Sequence, residues 1–379
     1  MSVNGPVKVV FTMTFAELLG GCERMLWTFL RLADRSRIEP VVIFNNEGSF
    51  ARAVAGEGIP TEVIVPGRFR NTVRGTRAIR SMARSFRREQ PDLIVNWFTK
   101  SQIYAAPAAM LAGMRERLVW FQHTLPGGTN LDRPATALPA KAVVATSEAG
   151  ARAQERIRPR RPTRVVLPGI EPPGVTAPEE LAALRARLGI PPERRVVGVV
   201  GRLQPWKQQH RAVEAVDRLR GEGQDVHGLL VGGNAYDVAP EYEPELKRLV
   251  ADSGLQDAVT FTGHVDDAHP YMQLMDVLLN TSSNEPFGIV LLEAMALGVP
   301  AVAFDAEGGP PEILDHGRCG LLARPDDPAD LARQTARLLD DERLRTGLVQ
   351  RARERFRERF TAERMVESLE LLLLDLARA

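Results

Sequence analysis

Apolar, β-branched runs alternate with longer helical patterns from end to end of this chain, in two successive series. In the first half the strand candidates are Val7–Phe11, Val41–Phe44, Glu62–Val65, Leu93–Trp97, Leu118–Phe121 and Ala142–Thr146. They are near-continuous apolar runs rather than apolar/polar alternations, the pattern of parallel strands covered by helices on both faces. After the run Arg164–Leu167 comes Pro168-Gly169-Ile170-Glu171-Pro172-Pro173-Gly174, the strongest turn-and-linker cluster in the chain. A second series follows: Val196–Val200, Gly228–Val231, Val259–Phe261, Val277–Asn280 and Val299–Phe304. At 379 residues there is room for two domains, each with its own core. The expected fold is therefore α/β, with two doubly wound domains facing across a cleft and ligands bound beyond the carboxyl ends of the strands. Thr361 to Ala379 reads as an amphipathic helix through Leu369, Leu371, Leu372, Leu373 and Leu376.

Composition removes several function classes. A net charge of +1 leaves no global basic field of the kind nucleic-acid binders use, so any cationic role is local. Cys22 and Cys319 offer neither a disulfide framework nor zinc-ligand spacing, which fits a reduced cytoplasmic compartment. The segment Met1 to Pro6 is short and polar, so no secretory leader is expected. The longest apolar stretch, Gly288 to Phe304, is interrupted by Glu293 and Pro300 and reads as a helix followed by a strand, not a membrane span. No Asp-x-Asp occurs, and no His/Cys/carboxylate cluster has metal spacing. Neither a metal nor another cofactor is expected.

The segment Asn284-Glu285-Pro286-Phe287-Gly288-Ile289-Val290-Leu291-Leu292-Glu293 sets two glutamates eight residues apart across the opening of a helix. The helix formers stop at Gly298-Val299-Pro300. Eight helical residues rise about 12 Å, comparable to the span from ribose to hexose in a nucleotide sugar. Between the acids lie the free N–H groups of a helix start, which favour an anion. Val199-Val200-Gly201-Arg202-Leu203-Gln204-Pro205-Trp206-Lys207 ends the first strand of the second series. Arg202 and Lys207 can clamp a diphosphate there, each charge-assisted hydrogen bond contributing about 1.5–3 kcal/mol. Read alone they are as well explained as exposed charges; beside the glutamates the clamp prevails.

Gly20-Gly21-Cys22-Glu23-Arg24 opens the first helix. It is no GxGxxG fingerprint, but paired glycines let a backbone approach a phosphate closely; a plain tight turn is the competing explanation. His123 closes the fifth strand candidate in Trp120-Phe121-Gln122-His123-Thr124, before Leu125-Pro126-Gly127-Gly128. A lone histidine is usually structural, yet its place at a strand end facing the expected cleft points to function. Ala306-Glu307-Gly308-Gly309-Pro310-Pro311-Glu312 puts two more glycines at a strand-to-helix turn, with Glu312 read as a first-turn charge.

Together these residues make the chain resemble the retaining GT-B glycosyltransferases of glycosyltransferase family 4, over essentially its whole length. The resemblance rests on Gly20 to Arg24, His123, Thr146-Ser147-Glu148-Ala149, Gly201-Arg202-Leu203 with Lys207, Thr262-Gly263, the Glu-x7-Glu pair, Gly298-Val299-Pro300 and Gly308-Gly309. It implies two Rossmann-like domains: an acceptor domain at residues 1–170, completed by a C-terminal helix at 356–379 that crosses back, and a donor domain at 171–355. It implies that Arg202 and Lys207 hold the diphosphate, Glu293 the ribose hydroxyls and Glu285 the hexose. Phe287, Gly288 and Ile289 lie at the donor beside Glu285, and the loop around Val265 lies near the base. Gly20 and Gly21 would approach the phosphates, and His123 would line the reaction centre with Arg202, Lys207 and Glu285. Two departures stand out: Gln208 follows Lys207 where the family usually has glycine, and Pro168-Gly169 replaces its usual Asn-Gly.

The implied activity moves a hexosyl group from a nucleotide-diphosphate sugar, a UDP-sugar being expected, to a hydroxyl on a glycan, lipid-linked or small natural-product acceptor. No first-domain carboxylate stands out as a nucleophile, so a same-face displacement with retention is expected, the leaving diphosphate taking the acceptor proton. An epimerase or hydrolase on the same architecture is the rival, and a non-catalytic sugar-nucleotide sensor a third reading. Residues 68–88 hold eight arginines and no acid. Arg74, Arg77, Arg80, Arg84, Arg87 and Arg88 fall on one side of a helix and Ile79, Met82, Ala83 and Phe86 on the other. Such a helix either packs by its apolar face with a solvated arginine face, or lies on anionic lipid at the inner face of a membrane. Asn234 to Glu243, with Tyr236, Asp237 and Tyr242, lengthens a loop that either touches the acceptor or decorates the surface.

Overall fold

In the computed structural model, residues 5–18, 20–67, 72–127, 131–157, 163–234 and 239–379 are described. The chain divides into two compact units, Met1–Gly169 with Ala362–Ala379, and Ile170–Thr361. The division falls inside the Pro168–Gly174 cluster. Residues 356–361, expected with the first domain, lie in the second.

The first unit holds seven strands: β1 (Val7–Met13), β2 (Ile38–Phe44), β3 (Thr61–Val63), β4 (Leu93–Trp97), β5 (Leu118–Gln122), β6 (Ala142–Ala145) and β7 (Thr163–Val165). They run in the order β3-β2-β1-β4-β5-β6-β7, all parallel. Alternate residues of β1 go to opposite faces, and both faces are covered. Val9, Phe11 and Met13 pack with Met25, Leu26 and Phe29 of the helix Gly21–Leu32, and with Met365, Leu369 and Leu373 of the C-terminal helix. Val10 packs on the other side with Ala78, Met82 and Phe86 of the helix Thr72–Glu89. Burial on both sides is why the strands read as unbroken apolar runs.

The C-terminal helix Ala362–Arg378 thus belongs to the first unit, as the resemblance implied. Its buried Glu370 accepts from the Asp34 backbone N–H at 2.7 Å and from Arg37 Nη1 at 2.7 Å, and Lys141 Nζ donates to the Leu376 carbonyl at 2.8 Å. These contacts fix the helix in register as well as by apolar area. The arginine-rich helix buries the apolar face and leaves Arg74, Arg77, Arg80, Arg84, Arg87 and Arg88 exposed. Arg88 pairs with Glu62 at 2.9 Å. Residues 68–71 of that stretch lie outside the described residues.

The second unit holds β8 (Arg195–Val200), β9 (Val226–Val231), β10 (Val259–Phe261), β11 (Val277–Asn280), β12 (Ala301–Phe304) and β13 (Leu321–Ala323). Their order is β10-β9-β8-β11-β12-β13, again parallel. Val197, Val199, Leu230, Val277, Leu279, Val302 and Phe304 form its core with Val213, Val216, Leu331 and Leu338 from flanking helices. Gly298 ends the helix Ile289–Leu297 in the left-handed conformation at φ +79°, the expected stop before Pro300. β13, three residues long, was not among the strands read from the sequence. Ile170 donates to the Phe360 carbonyl at 3.0 Å, so the two points where the chain passes between units run side by side.

Candidate functional site

Most of the expected donor residues gather at the carboxyl ends of β8, β9, β11 and β12. β8 gives way at Gly201 to the Arg202–Gln204 loop and one tight turn, Pro205–Lys207, before the helix Gln209–Gly221. That turn is tied to the end of β11. Thr281 Oγ1 donates to the Lys207 carbonyl at 2.7 Å, and the Ser283 N–H donates to the Trp206 carbonyl at 3.0 Å. The ties aim the Lys207 side chain. Its ammonium forms an ion pair with Glu285 Oε2 and lies 4.4 Å from the centre of the Trp206 ring, whose Nε1 donates to Gln204 Oε1 at 2.7 Å. Ser282 Oγ donates to the same Glu285 oxygen at 3.0 Å.

Lys207 and Glu285, 78 residues apart in sequence, are thus direct partners in this structure. Their side chains are only 17 % and 9 % exposed, so the pair is largely withdrawn from water. Arg202 is half-buried on the same loop, and its carbonyl accepts from Gln209 Nε2 at 2.8 Å.

The helix after Glu285 starts at Ile289, capped by Gly288 at φ +109° and ψ 59°. This corrects the distance argument: only four of the eight steps from Glu285 to Glu293 are helical, a rise of about 6 Å rather than 12. The first half of the interval is a loop, and the loop is what brings Glu285 back to Lys207. Gly308 and Gly309 hold it. The Gly309 N–H donates to the Glu285 carbonyl at 2.9 Å, and a Cβ on Gly309 would lie 2.7 Å from the Phe287 carbonyl carbon. Phe287 is buried, its ring 6.1 Å from that of Phe360, so it anchors the loop from below. Glu293 sits in the first turns of the helix, Oε1 3.5 Å from His269 Nε2; His269 Nδ1 is 2.8 Å from Asp267 Oδ1.

Sequence reasoning missed His269 and also Gly232. Gly232 has φ +127°, and a Cβ there would lie 2.9 Å from the Gly201 carbonyl carbon. Its N–H donates to the Gly263 carbonyl at 3.1 Å, knitting the ends of β8, β9 and β10 together just before half-buried Val265. The Gly232-Gly233 pair at a strand end was the same signal as Gly20-Gly21 and was readable. His269 has no sequence signature. Of the loop at 234–243, residues 235–238 lie outside the described residues; Tyr242 packs inward, its hydroxyl 3.0 Å from His210 Nδ1.

Gln208, where a glycine was expected by resemblance, adopts φ +51° and ψ 40°. A side chain in the left-handed region costs about 1–2 kcal/mol, partly offset by the extra freedom glycine has when unfolded. Gln208→Gly is expected to stabilise the protein by about 0.5–1 kcal/mol, read as a higher thermal or denaturant midpoint.

Gly20, Gly21 and His123 lie in the first unit. Gly20 caps the helix Gly21–Leu32 in an extended conformation, and the Glu23 carboxylate folds back over it, 2.5 Å from where a Cβ would be. His123 is only 3 % exposed, held between Trp97, Phe98 and Phe121 at centroid distances of 4.8, 4.9 and 4.6 Å. Neither ring nitrogen has a hydrogen-bond partner among the described residues. Burial pushes its pKa down to about 3, so the ring is neutral. His227 in β9 is pushed down to about 4 by burial and by Arg194, Arg185 and Arg220.

Both shifts have one sign. The unfolded chain protonates these rings near pH 6.5 and the folded chain resists, so the stability they contribute is intact above that pH. It is lost as pH falls toward 4 and then 3. Each ring steepens the decline by at most about 1.4 kcal/mol per pH unit. His123→Phe is expected to flatten the melting temperature against pH between 6.5 and 4.

Among the described residues, no group of three or more His, Cys, Asp or Glu could hold a metal ion, and no helix is long and apolar enough to cross a membrane. The family Glycosyl transferases group 1 matches residues 182–355, and Glycosyltransferase Family 4 matches residues 19–172. N-acetyl-alpha-D-glucosaminyl L-malate synthase of Bacillus anthracis is 33% identical over 199 residues, covering 52% of this chain and 50% of its own. The lipopolysaccharide core biosynthesis glycosyltransferase LpsE of Rhizobium meliloti is 34% identical over 193 residues, covering 51% of this chain and 54% of its own. The chain spans about half the length of these curated relatives. The crystal structure of Anabaena HepE in complex with UDP superposes with a TM-score of 0.82 at 25% identity, covering 97% of this chain and 100% of that one. Two matched halves, a pair of parallel sheets in this order and the C-terminal helix returned to the first unit identify the chain as a member of the group 1 glycosyltransferases with the GT-B fold.

Proposed function

We propose that this protein transfers a hexosyl group from a UDP-sugar to an acceptor hydroxyl, with retention of the anomeric configuration and without a metal. The observation that carries the reading is the Lys207–Glu285 pair, positioned by β8 and β11 beside the start of the helix Ile289–Leu297, where Gly288 offers no side-chain cap. A cation, a hydroxyl-binding carboxylate and free helix N–H groups in one place suit a diphosphate linked to a sugar. HepE structures contain UDP, UDP with glucose, and UDP-glucose, which supports the donor class.

In this reading Lys207 and Arg202 take the charge that develops on the leaving diphosphate, which accepts the acceptor's proton as the new bond forms on the same face. Lys207 exchanges part of its bond to Glu285 for the phosphate, freeing Glu285 to receive hexose hydroxyls. The Phe287, Gly288 and Ile289 backbone flanks that contact. Glu293 holds the ribose, steadied by His269, and Val265 borders the base. Gly20 and Gly21 are assigned to the phosphates, which requires Glu23 to yield. His123, being neutral, serves as a hydrogen-bonding group toward the transferred sugar and not as a charged acid.

Incubation with UDP-, GDP-, ADP- and dTDP-sugars, scoring nucleotide release with and without acceptors, tests the proposal. Acceptor-dependent UDP release that persists in EDTA, with an axial or equatorial product bond matching the donor's by NMR, is expected. Release that no acceptor accelerates would favour a hydrolase, and an altered donor sugar without transfer an epimerase. The arginine face of the helix Thr72–Glu89 is read first as a solvated face over a packed apolar one; flotation with anionic but not neutral liposomes, reversed by salt, would assign it to anionic lipid instead. Salt-insensitive or absent binding would retire that assignment.

A further inference from the structure

At the carboxyl ends of β1, β4 and β5, the first unit carries an aromatic group that the donor chemistry leaves unused. Phe98, which follows β4, has φ +97° and ψ 155°, a conformation that side chains rarely adopt. Its N–H donates to the Phe121 carbonyl at 3.2 Å, so β5 holds the outlier in place. Strain of this kind persists where a side chain must be aimed. Here it sets the Phe98 ring 4.9 Å from His123 and 5.0 Å from Phe15, at 88° to the latter. Phe15, in the loop after β1, is 37 % exposed. Two near-perpendicular rings therefore form a corner on the surface. Against the Phe98 ring lies His123, whose two nitrogens have no partner among the described residues, one of them assigned to the transferred sugar and the other left over. Gln122, next to it in β5, leaves Nε2 unpartnered among the described residues while its Oε1 is taken by Thr99 and Thr124.

An apolar corner backed by unsatisfied hydrogen-bonding groups has the chemistry of a pyranose ring, which offers a patch of C–H bonds on one face and hydroxyls at its rim. A lipid chain would leave the buried polar atoms unmet, and an open-chain polyol lacks the continuous C–H face. We propose that Phe15 and Phe98 form the platform on which the acceptor's pyranose ring stacks, so that the acceptor is a glycoside. The proposal deepens the glycosyltransferase reading and rests on it.

Saturation-transfer NMR with methyl β-glucopyranoside and methyl α-galactopyranoside as probes, and sorbitol as the open-chain control, tests the platform. Both pyranosides are expected to receive saturation through their ring C–H protons, and sorbitol little. Phe15→Ala and Phe98→Gly should each weaken pyranoside binding about tenfold or more. Glycine accepts φ +97° without strain, so Phe98→Gly removes the ring without forcing the backbone, and its thermal midpoint should fall only by the lost packing of the half-buried ring against the core. Should that variant nevertheless unfold, Phe15→Ala decides. Pyranosides that saturate no better than sorbitol, or affinity unchanged by the variants that fold, would overturn the platform. UDP titrated calorimetrically into the same wild-type protein separates the two readings: failure of UDP to bind strikes the donor assignment, while loss of pyranoside binding alone strikes only the platform.

Discussion

Lys207→Ala lowers turnover by about two to three orders of magnitude and also costs stability, and the two losses separate on a second substitution. The catalytic loss follows from the proposed role: without the ammonium, charge developing on the leaving diphosphate lacks its positioned cation. The stability loss follows from what the structure shows. Glu285 would remain 9 % exposed with its cation gone, keeping only the Ser282 hydroxyl on that oxygen. Breaking one side of a buried pair costs about 3–5 kcal/mol at full burial; with Lys207 17 % exposed, we expect the lower part of that range. Glu285→Gln in the Lys207→Ala background removes the stranded charge. It should restore most of the thermal midpoint and none of the turnover. A Lys207→Ala enzyme that turns over normally would sink the mechanism, whereas normal stability with lost turnover would mean that the ion pair is weak but the catalytic role correct.

The same pair shows where sequence reading stops. The strands were legible because residues such as Val9 and Val10 are both buried, on opposite sides of one sheet, and leave no polar interruption. The helix stop at Gly298-Val299-Pro300 was legible because local backbone chemistry dictates it. The glutamates were legible as a motif, but their geometry was not. Pro286 to Gly288 break the helical run, and the direction in which that break turns Glu285 depends on Lys207, Ser282 and Gly309, each from a different segment of chain. His123 illustrates the converse. Its position at the end of β5 was readable, but its neutral state depends on the aromatic rings of Trp97, Phe98 and Phe121 around it. The left-handed backbone of Gln208 shows the middle case, where a departure from the family pattern marked the site and the structure supplied the reason.

Gly309→Ala is expected to reduce activity about 100-fold, although Gly309 itself is assigned no contact with the substrate. Gly309 opens the short helix Gly309–Ile313, and its backbone lies directly against Phe287. A single methyl there would collide with the Phe287 backbone, its carbonyl oxygen and Cα as well as the carbonyl carbon. Because the obstacle is main chain, no rotamer change relieves it, and either the loop or the helix start must move. Phe287 is buried against Phe360 and resists, so the displacement passes to the neighbouring Glu285, whose carbonyl is bonded to the Gly309 N–H. A shift of about 1 Å in a substrate-positioning group costs about two orders of magnitude in rate, and overpacking of this kind about 1–3 kcal/mol in stability. Gly308→Ala should behave similarly, since Gly308 lies as close to the Glu285 carbonyl and has φ +149° besides. Gly221→Ala, at the end of the helix Gln209–Gly221 with open space around it, is the matched control and should change neither quantity by more than a few tenths of a kcal/mol. Measured kcat and thermal midpoints for the three variants decide the matter. If Gly309→Ala keeps full activity, the Glu285 loop is not held by this backbone contact, and the route by which Glu285 reaches Lys207 must lie in the Ser282 hydroxyl alone.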